Sequence, residues 1–285
     1  MIAITGATGN LGRLVITDLL ASGVPAADIV AMVRTAGRAA DLADRGVIVR
    51  EADYDRPETL TPALDGADKV LLISGSEVGS RIQQHQNVIA AAVALGVERL
   101  AYTSILRADT SGVALAREHK ATEEAIAASG LTYTFLRNGW YYETSFGDVA
   151  DTVARGVLIG ASGQGKVSFA TRADFAAAAA AVLLGSGHGN EVYELGGDQA
   201  LTMTDYAAAI SQASGTTVGY QDLGAAGYAG ALASAGLPAA VVDMLTDIAQ
   251  ANSRGELAAG SGDLSRLIGR PTTSAVDYFT TALSA

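Results

Sequence analysis

Three glycines near the start of the chain constrain its fold more than any other feature. Gly6, Gly9 and Gly12 stand in GATGNLG, between an apolar run that begins at residue 1 and an amphipathic stretch that begins near Asn10. In a strand-turn-helix unit, the first glycine permits a tight turn, the second lets the backbone approach a pyrophosphate, and the third allows close helix packing. The free N–H groups and positive dipole at the helix start then meet the phosphates. The triplet predicts a dinucleotide site, with a ligand-free glycine turn as the alternative, because the spacing is not Gly-x-Gly-x-x-Gly.

Short apolar runs alternate with helical stretches up to about residue 137. The predicted strands are MIAITG, DIVAMVR, GVIVRE, KVLLIS, RLAYTS and TYTFLR, and the stretches between them, such as IQQHQNVIAAAVALG, have helical spacing. This alternation is typical of a parallel sheet with helices on both faces. We therefore predict an α/β fold, a Rossmann-type doubly wound parallel sheet, over residues 1–138.

The pattern loosens after Gly139. The strand candidates GVLIG, EVYELGG and TVGYQDL are interleaved with alanine-rich helices, and GLPAAVVDMLTDIAQ places proline at a helix start. These features predict a smaller C-terminal α/β lobe over residues 139–285 that is interleaved with the first region in one compact unit. The substrate is expected in the crevice between the two regions.

The end of the second predicted strand indicates which dinucleotide is bound. A Rossmann domain that binds NAD has an acidic residue there for the ribose 2′-hydroxyl, but AMVRTAGR has Arg34 and then Arg38, while Asp28 lies at the other end of the strand. A guanidinium suits a 2′-phosphate. We therefore expect NADPH, with an ordinary surface arginine as the alternative. Asp53, after the third strand, either accepts a hydrogen bond from the adenine amino group or is a solvated turn residue.

The composition excludes several classes of function. The 30 acidic and 19 basic residues give a formal net charge of −11, which repels phosphate backbones and anionic lipids, so neither nucleic acid nor a membrane is an expected partner. The chain has no cysteine, and His85, His119 and His188 are far apart in sequence, so no metal site is expected. The most apolar run, AAAAAAVLLG, is too short to span a bilayer. With no leader before the glycine loop, the expected location is the cytoplasm.

Several segments together resemble one known family. They are TGATGNLG, the VR that ends the second strand, ADYD, LLISGSEVGSR, YTSILRADTS, LRNGWYYE and TRADFAAAAA. In combination they resemble the NmrA-like group of atypical short-chain dehydrogenases, and within it the NADPH-dependent quinone reductases and triphenylmethane dye reductases. The resemblance covers essentially the whole chain. It implies a Rossmann domain that binds NADPH, a smaller lobe over the nicotinamide, and hydride transfer to a quinone or similar conjugated acceptor.

The resemblance also implies site residues. The residues of its pyrophosphate loop are Gly6, Ala7, Thr8, Gly9, Asn10 and Leu11, and Arg34 is the reader of the 2′-phosphate. The implied cofactor residues at the ends of the fourth and fifth strands are Ser74, Gly75, Ser76, Thr103 and Ser104. Residues 137–141, RNGWY, correspond to the segment that passes the nicotinamide, which makes Asn138 and Tyr141 candidate catalytic residues. Plain hinge packing of Trp140 and Tyr141 is the alternative.

The proton donor of typical short-chain dehydrogenases is missing. Those enzymes reduce ketones with a Tyr-x-x-x-Lys pair, in which the tyrosine protonates the nascent alkoxide and the lysine lowers its pKa. The residues four positions before the three lysines are Asp65, Ala116 and Ser162. Lys120 stands at the place of the catalytic lysine, and it either orients a ribose hydroxyl or pairs on the helix surface with Glu123 or Glu124.

This loss constrains the acceptor. Hydride addition to a saturated ketone leaves a strongly basic alkoxide, whereas a quinone leaves a delocalised phenolate with a pKa of roughly 10, which solvent can protonate. A cationic triarylmethane dye becomes neutral and needs no proton. We predict an NADPH-dependent oxidoreductase that acts on a small-molecule quinone or dye-like acceptor. The alternative is an NADP-binding redox-sensing regulator of the NmrA type without catalysis, and a homodimer is left open.

Overall fold

Parallel strands from the first half of the chain make up most of a seven-stranded sheet in the computed structural model, which describes residues 1–284. In chain order the strands are β1 (Ile2–Ile4), β2 (Ile29–Val33), β3 (Ile48–Glu51), β4 (Lys69–Leu72), β5 (Arg99–Ile105), β6 (Thr132–Asn138), β7 (Val157–Gly160), β8 (Lys166–Val167), β9 (Glu191–Leu195), β10 (Leu201–Thr202) and β11 (Gly219–Asp222). The sheet has the order β3-β2-β1-β4-β5-β6-β9, and the pairings among β1 to β6 are parallel. The predicted doubly wound α/β fold is confirmed.

Helices lie between these strands and after the last of them. In chain order they are α1 (Asn10–Ala21), α2 (Ala40–Asp44), α3 (Leu60–Leu64), α4 (Arg81–Ala94), α5 (Ala116–Ala128), α6 (Tyr142–Ser145), α7 (Val149–Arg155), α8 (Arg172–Leu184), α9 (Met203–Ser214), α10 (Gly224–Ser234), α11 (Ala239–Ser253), α12 (Asp263–Ile268) and α13 (Ala275–Ser284). The helix predicted near Asn10 is α1, and the helix predicted after proline is α11, whose N-cap is Pro238. Both predictions are confirmed.

The central strands are buried on both faces, as the continuous apolar runs predict. Every residue of β2 and β5 is buried, which is the pattern of a parallel sheet covered by helices on both sides. The segment EVYELGG, counted above with the second region, forms β9 and pairs next to β6 as the seventh strand. Its place could not be read from the sequence because its neighbour in the sheet ends more than fifty residues earlier.

The chain falls into two compact units. The first contains residues 1–108, 117–138 and 172–194, and the second contains residues 109–116, 139–171 and the chain from Leu195 onward. In the first unit α8 packs against α1. The predicted boundary at residue 138 is one of the crossing points, and the assignment of residues 1–138 and 139–285 as two functional domains stays a prediction.

The second unit has its own aromatic core. Tyr142 stacks on Tyr278 with ring centroids 4.5 Å apart, and Phe146, Phe169 and Tyr206 pack around it. Two small sheets accompany this core, one from β7 and β11 and one from β8 and β10. Of the strand candidates in this part of the sequence, GVLIG and TVGYQDL form β7 and β11 as predicted.

The alanine-rich run lies in α8, which is 13 residues long. Among residues 1–284, no helix combines the length and apolar character that crossing a bilayer requires.

Candidate functional site

A cavity of about 660 Å³ is lined by the residues that follow β1, β2, β3 and β4, by the last two residues of β2 and by Gln84 of α4. The order of the sheet reverses between β1 and β4, and this switch point is where ligands bind in open α/β sheets. The predicted cofactor residues that line the cavity are Gly6, Thr8, Gly9, Arg34, Asp53, Ser74, Gly75 and Ser76. The sheet therefore brings together the glycine loop, the arginine after β2 and the segment after β4.

The glycine loop has the backbone geometry that its residue types predict. Gly6 has a φ of 57°, in the left-handed region that favours glycine. Gly9 is the N-cap of α1, and within the described chain no side chain caps this helix and no acidic residue stands in its first turn. A Cβ on Gly12 would lie 2.6 Å from the carbonyl oxygen of Gly6. The start of α1 therefore presents N–H groups and a positive dipole end to the loop.

The other loop residues assigned by the resemblance have mixed positions. Ala7 is buried, and its N–H donates to the carbonyl of Met32 at 3.3 Å. Leu11 is also buried and packs in the core, whereas Asn10 is exposed as the first residue of α1. These three residues support the loop and the helix start and are not among the residues that line the cavity.

Two arginines reach the cavity from the segment after β2. The side chain of Arg34 is 69% exposed, and its Nη1 lies 3.3 Å from Oε1 of Glu77. Arg38 lines the same cavity. Arg13 of α1 donates to the carbonyls of Arg38 at 2.7 Å and Thr8 at 3.3 Å. Arg13 thus ties the arginine segment to the glycine loop.

The segment after β3 forms one side of the cavity. The N–H of Asp53 donates to Oγ1 of Thr59 at 3.0 Å, and Oδ1 of Asp53 accepts from the N–H of Asp55 at 3.1 Å. The hydroxyl of Tyr54 is hydrogen-bonded to Thr5 and to the carbonyl of Ile73 at 3.1 Å. Burial raises the pKa of the Tyr54 hydroxyl. Tyr54 is therefore a neutral link between β1, β3 and β4 that sequence reasoning did not identify.

The backbone of the segment after β4 forms hydrogen bonds with buried side chains. The N–H of Ser74 donates to Oγ1 of Thr103 at 2.9 Å, and the N–H of Gly75 donates to Nε2 of His85 at 3.0 Å. Nε of Arg81 donates to the carbonyl of Gly75 at 2.7 Å. Thr103, predicted to bind cofactor, is thus buried beneath the segment that lines the cavity and is not among the lining residues.

Hydrogen-bond partners assign the protonation state of His85. Because Nε2 accepts from Gly75, the proton lies on Nδ1, which is 3.0 Å from Oγ1 of Thr122. The Thr122 hydroxyl in turn donates to the carbonyl of Glu118 at 2.9 Å. Burial, helped by the charge of Arg81, lowers the pKa of His85 to about 3. Nothing in the sequence distinguishes this histidine from an ordinary residue of an amphipathic helix.

The predicted catalytic residues lie outside the cavity lining. Asn138 is buried at the end of β6, and its carbonyl accepts from the N–H of Leu106 at 2.9 Å. Lys120 is exposed on α5 and forms no ion pair with any residue the structure describes. Tyr141 belongs to the second unit, where it is half-buried at the start of α6. Ser104, at the end of β5, has a buried hydroxyl for which residues 1–284 provide no hydrogen-bond partner.

Within residues 1–284, Lys120 pairs with neither Glu123 nor Glu124, and Glu123 pairs with another cation instead. Arg137 donates to both oxygens of Glu123, at 2.9 and 2.7 Å, and to Glu194 at 2.8 Å. Burial opposes the charge of Arg137, but the hydrogen bonds to the two carboxylates outweigh it and raise its pKa. Arg137 therefore has a structural role: it ties the end of β6 to α5 and β9.

The residues around the cavity fit a dinucleotide with a 2′-phosphate. The cavity volume lies in the range of small-molecule sites. An uncapped helix start and a glycine loop suit a pyrophosphate, and Arg34 and Arg38 suit a phosphate on the ribose. Of the predicted cofactor residues, eight line the cavity, whereas Ala7, Asn10, Leu11, Thr103 and Ser104 do not.

The chain is similar to known proteins in both sequence and structure. A family model described as NAD(P)H-binding matches residues 6–184. Quinone oxidoreductase 2 of Escherichia coli (strain K12) is 53% identical over 274 residues, which cover 96% of this chain and 96% of that protein. The crystal structure of the NADPH-dependent quinone oxidoreductase QOR2 from E. coli, complexed with NADPH, has a TM-score of 0.96 at 51% identity and covers 99% of this chain and 100% of that chain. Citrobacter sp. triphenylmethane reductase complexed with NADP(H) has a TM-score of 0.94 at 40% identity, covering 99% and 100%.

Proposed function

The chain belongs to the NmrA-like family of NAD(P)H-binding proteins. We propose that it is an NADPH-dependent oxidoreductase that transfers hydride to a quinone or a similar conjugated acceptor. The observation that carries the proposal is that Arg34 and Arg38 line the same cavity as the glycine loop. A site built in this way serves both the pyrophosphate and the 2′-phosphate of one cofactor.

The residues of the cavity divide the work of holding the cofactor. The start of α1, with Gly9 as its N-cap, would bind the pyrophosphate through backbone N–H groups, and the two arginines would bind the 2′-phosphate. Asp53 would accept from the adenine amino group. NADPH, when bound, supplies the hydride. The orphaned hydroxyl of Ser104 supports a polar ligand group near the end of β5, because an unpaired buried hydroxyl costs stability.

The proposed class of acceptor rests on the lack of the catalytic tyrosine that typical short-chain dehydrogenases have. Ala116 stands where typical short-chain dehydrogenases have the catalytic tyrosine, and it is buried within α5. Without that hydroxyl, acceptors whose reduced form is a weak base are favoured, because solvent alone can protonate them. Quinones and cationic dyes meet this requirement, and unactivated ketones do not. Asn138 and Tyr141 are then proposed to position the nicotinamide and the acceptor.

The test is NADPH oxidation by purified protein with a panel of acceptors. We expect turnover with a simple benzoquinone and a cationic triarylmethane dye, and none with cyclohexanone. Efficient reduction of cyclohexanone would contradict the acceptor class, and NADPH binding without turnover of any acceptor would instead indicate a redox-sensing regulator.

The role of Tyr141 is tested separately. If Tyr141 only positions its ligands, Tyr141→Phe should change kcat modestly, as the loss of one orienting contact does. A loss of about 100-fold or more would make its hydroxyl the general acid.

We also propose a binding partner, a cellular location and an oligomeric state for the protein. The partner is a small-molecule acceptor and not a nucleic acid, because the net charge of −11 opposes polyanion binding. We propose the cytoplasm as the location. A homodimer is the remaining proposal, and sedimentation equilibrium of the cofactor-loaded protein tests it.

A further inference from the structure

The arginine that is proposed to bind the 2′-phosphate, Arg34, forms an ion pair with the carboxylate of Glu77. Oε1 of Glu77 lies 3.3 Å from Nη1 of Arg34, and both residues line the cavity. Glu77 stands in the segment after β4, and Arg34 stands in the segment after β2. The two charges therefore meet across the cavity from strands that lie on either side of β1 in the sheet.

A buried side chain holds Glu77 in this position. Nε2 of Gln84, a residue of α4 that is only 4% exposed, donates to Oε2 of Glu77 at 2.9 Å and to Oδ2 of Asp55 at 3.0 Å. The backbone carbonyl of Glu77 accepts from the N–H of Arg81 at 3.1 Å, at the start of the same helix. Both oxygens of the Glu77 carboxylate are thus engaged, one by Arg34 and one by Gln84.

The cavity has two arginines that could attract a phosphate, but acidic residues that also line it weaken this attraction. The charged residues that line it are Arg34, Arg38, Asp53, Asp55 and Glu77. Their formal sum is −1, from two positive and three negative side chains. A 2′-phosphate that binds Arg34 therefore competes with the Glu77 carboxylate, whereas a ribose that carries a hydroxyl leaves the ion pair in place.

We propose that Glu77 is a specificity-determining residue that weakens the preference of the site for NADPH over NADH by competing with the 2′-phosphate for Arg34. This inference rests on the proposed NADPH-dependent function. The wild type binds NADPH at the cost of the Arg34–Glu77 pair and of repulsion between the displaced carboxylate and the phosphate. NADH binding carries neither cost.

The test compares Glu77→Gln with the wild type by calorimetric titration of NADPH and NADH. Glutamine keeps an acceptor for Gln84 but carries no charge to pair with Arg34. We expect Kd for NADPH to fall about three- to fivefold, near the upper value for an exposed ion pair, while Kd for NADH stays unchanged. The gain should shrink as ionic strength rises, because salt screens exposed charges.

Glu98→Gln is the matched control. Glu98 is exposed and directly precedes β5, so it lies at the end of the parallel strands opposite the cavity, and its replacement makes the same change in net charge. A Glu77→Gln variant whose two Kd values match those of Glu98→Gln would overturn the proposal. Tighter binding of NADH as well as NADPH would overturn it too, because the effect would not depend on the 2′-phosphate.

A second pair of ligands separates this proposal from the proposed function. 2′,5′-ADP and 5′-AMP differ only in the 2′-phosphate and do not undergo redox chemistry. A gain for 2′,5′-ADP alone in Glu77→Gln supports the role of Glu77 even if no acceptor is turned over. Normal quinone reduction together with unchanged 2′,5′-ADP binding would overturn the role of Glu77 and leave the function standing.

Discussion

At the level of single residues, the first unit contains ionisable side chains whose exposure to solvent differs sharply. Arg34 is largely exposed and forms an ion pair with Glu77, whereas His85 and His119 are buried. Exposure limits what Arg34 contributes, because solvent screens an exposed guanidinium. Enclosure keeps both histidines neutral, because burial disfavours the charged imidazolium.

Arg34→Ala should narrow the preference for NADPH over NADH. We expect the difference in binding free energy to fall by about 1.5 kcal/mol, the lower end of the range for a hydrogen bond to a charged group. The low value is expected because Glu77 competes for Arg34 and because Arg38 remains. Titration of both nucleotides measures the effect. Arg45→Ala is the control, since Arg45 is an exposed arginine that precedes β3 and bonds Thr17. Equal affinity of the wild type for the two nucleotides would contradict the prediction.

The two enclosed histidines make stability depend on pH. Burial, then the charge of Arg81, lowers the pKa of both His85 and His119 to about 3, against an ordinary value of 6.5. Between these values the unfolded chain binds protons that the folded chain does not, so the free energy of unfolding falls as pH falls. The slope approaches about 1.4 kcal/mol per pH unit for each histidine.

Urea unfolding between pH 7.5 and 4.5 measures this slope. His85→Gln should remove one histidine's share of it, because glutamine does not titrate but still offers an acceptor to the N–H of Gly75. Identical slopes in the wild type and in His85→Gln would show that this histidine is protonated in the folded protein.

At the scale of elements, the turn from β1 into α1 places two glycines with different roles. Gly9 lines the cavity with a φ of −75°, which any residue can adopt, and a Cβ there would lie 3.1 Å from one carbonyl oxygen. A Cβ on Gly12 would lie 2.6 and 2.8 Å from backbone atoms of Gly6 and Ala7. Gly9 therefore serves ligand access, and Gly12 serves helix packing.

Substitutions at the two positions should separate binding from stability. Gly9→Val should abolish NADPH binding while the fold persists, because the branched side chain fills space at the cavity wall. Gly12→Ala should instead lower the free energy of unfolding by about 1 to 3 kcal/mol, the cost of overpacking against backbone that cannot move aside. Chemical unfolding and nucleotide titration of both variants test this. Gly219→Val, with open space around its Cβ, is the control. NADPH binding that survives in Gly9→Val would show that the loop has another use.

At the scale of the whole molecule, a net charge of −11 acts on every ligand that approaches. The field attracts cations and repels anions over distances set by ionic strength. NADPH is an anion, so its affinity must come from the local groups of the site.

The same field should distinguish acceptors by charge. We expect kcat/KM for a cationic triarylmethane dye to fall about tenfold between low and high salt, the smallest change typical of electrostatic steering. With a neutral quinone at saturating NADPH, kcat/KM should change little. Steady-state kinetics across a salt series, with both acceptors measured on the same protein, provide the comparison. Equal salt dependence for the two acceptors would mean that the net charge does not reach the acceptor site.

Features that depend on local spacing could be predicted from the sequence. The glycine triplet and the alternating apolar runs predicted the parallel sheet and the glycine loop, and the end of the second strand predicted Arg34, because each signal comes from neighbours along the chain. Family resemblance added Ser74, Gly75 and Ser76, which also line the cavity.

Contacts between residues that are distant along the chain became known from the three-dimensional fold. In the fold, β9 lies beside β6 in the sheet, and Glu123 forms an ion pair with Arg137. The ring of His85 accepts a hydrogen bond from Gly75, and Glu77 forms an ion pair with Arg34. Nothing in local spacing specifies these contacts, because each joins side chains or strands whose separation along the chain carries no periodic signal. These contacts depend on the spatial order of the strands in the sheet, because that order brings the segments that follow different strands to one edge of the sheet.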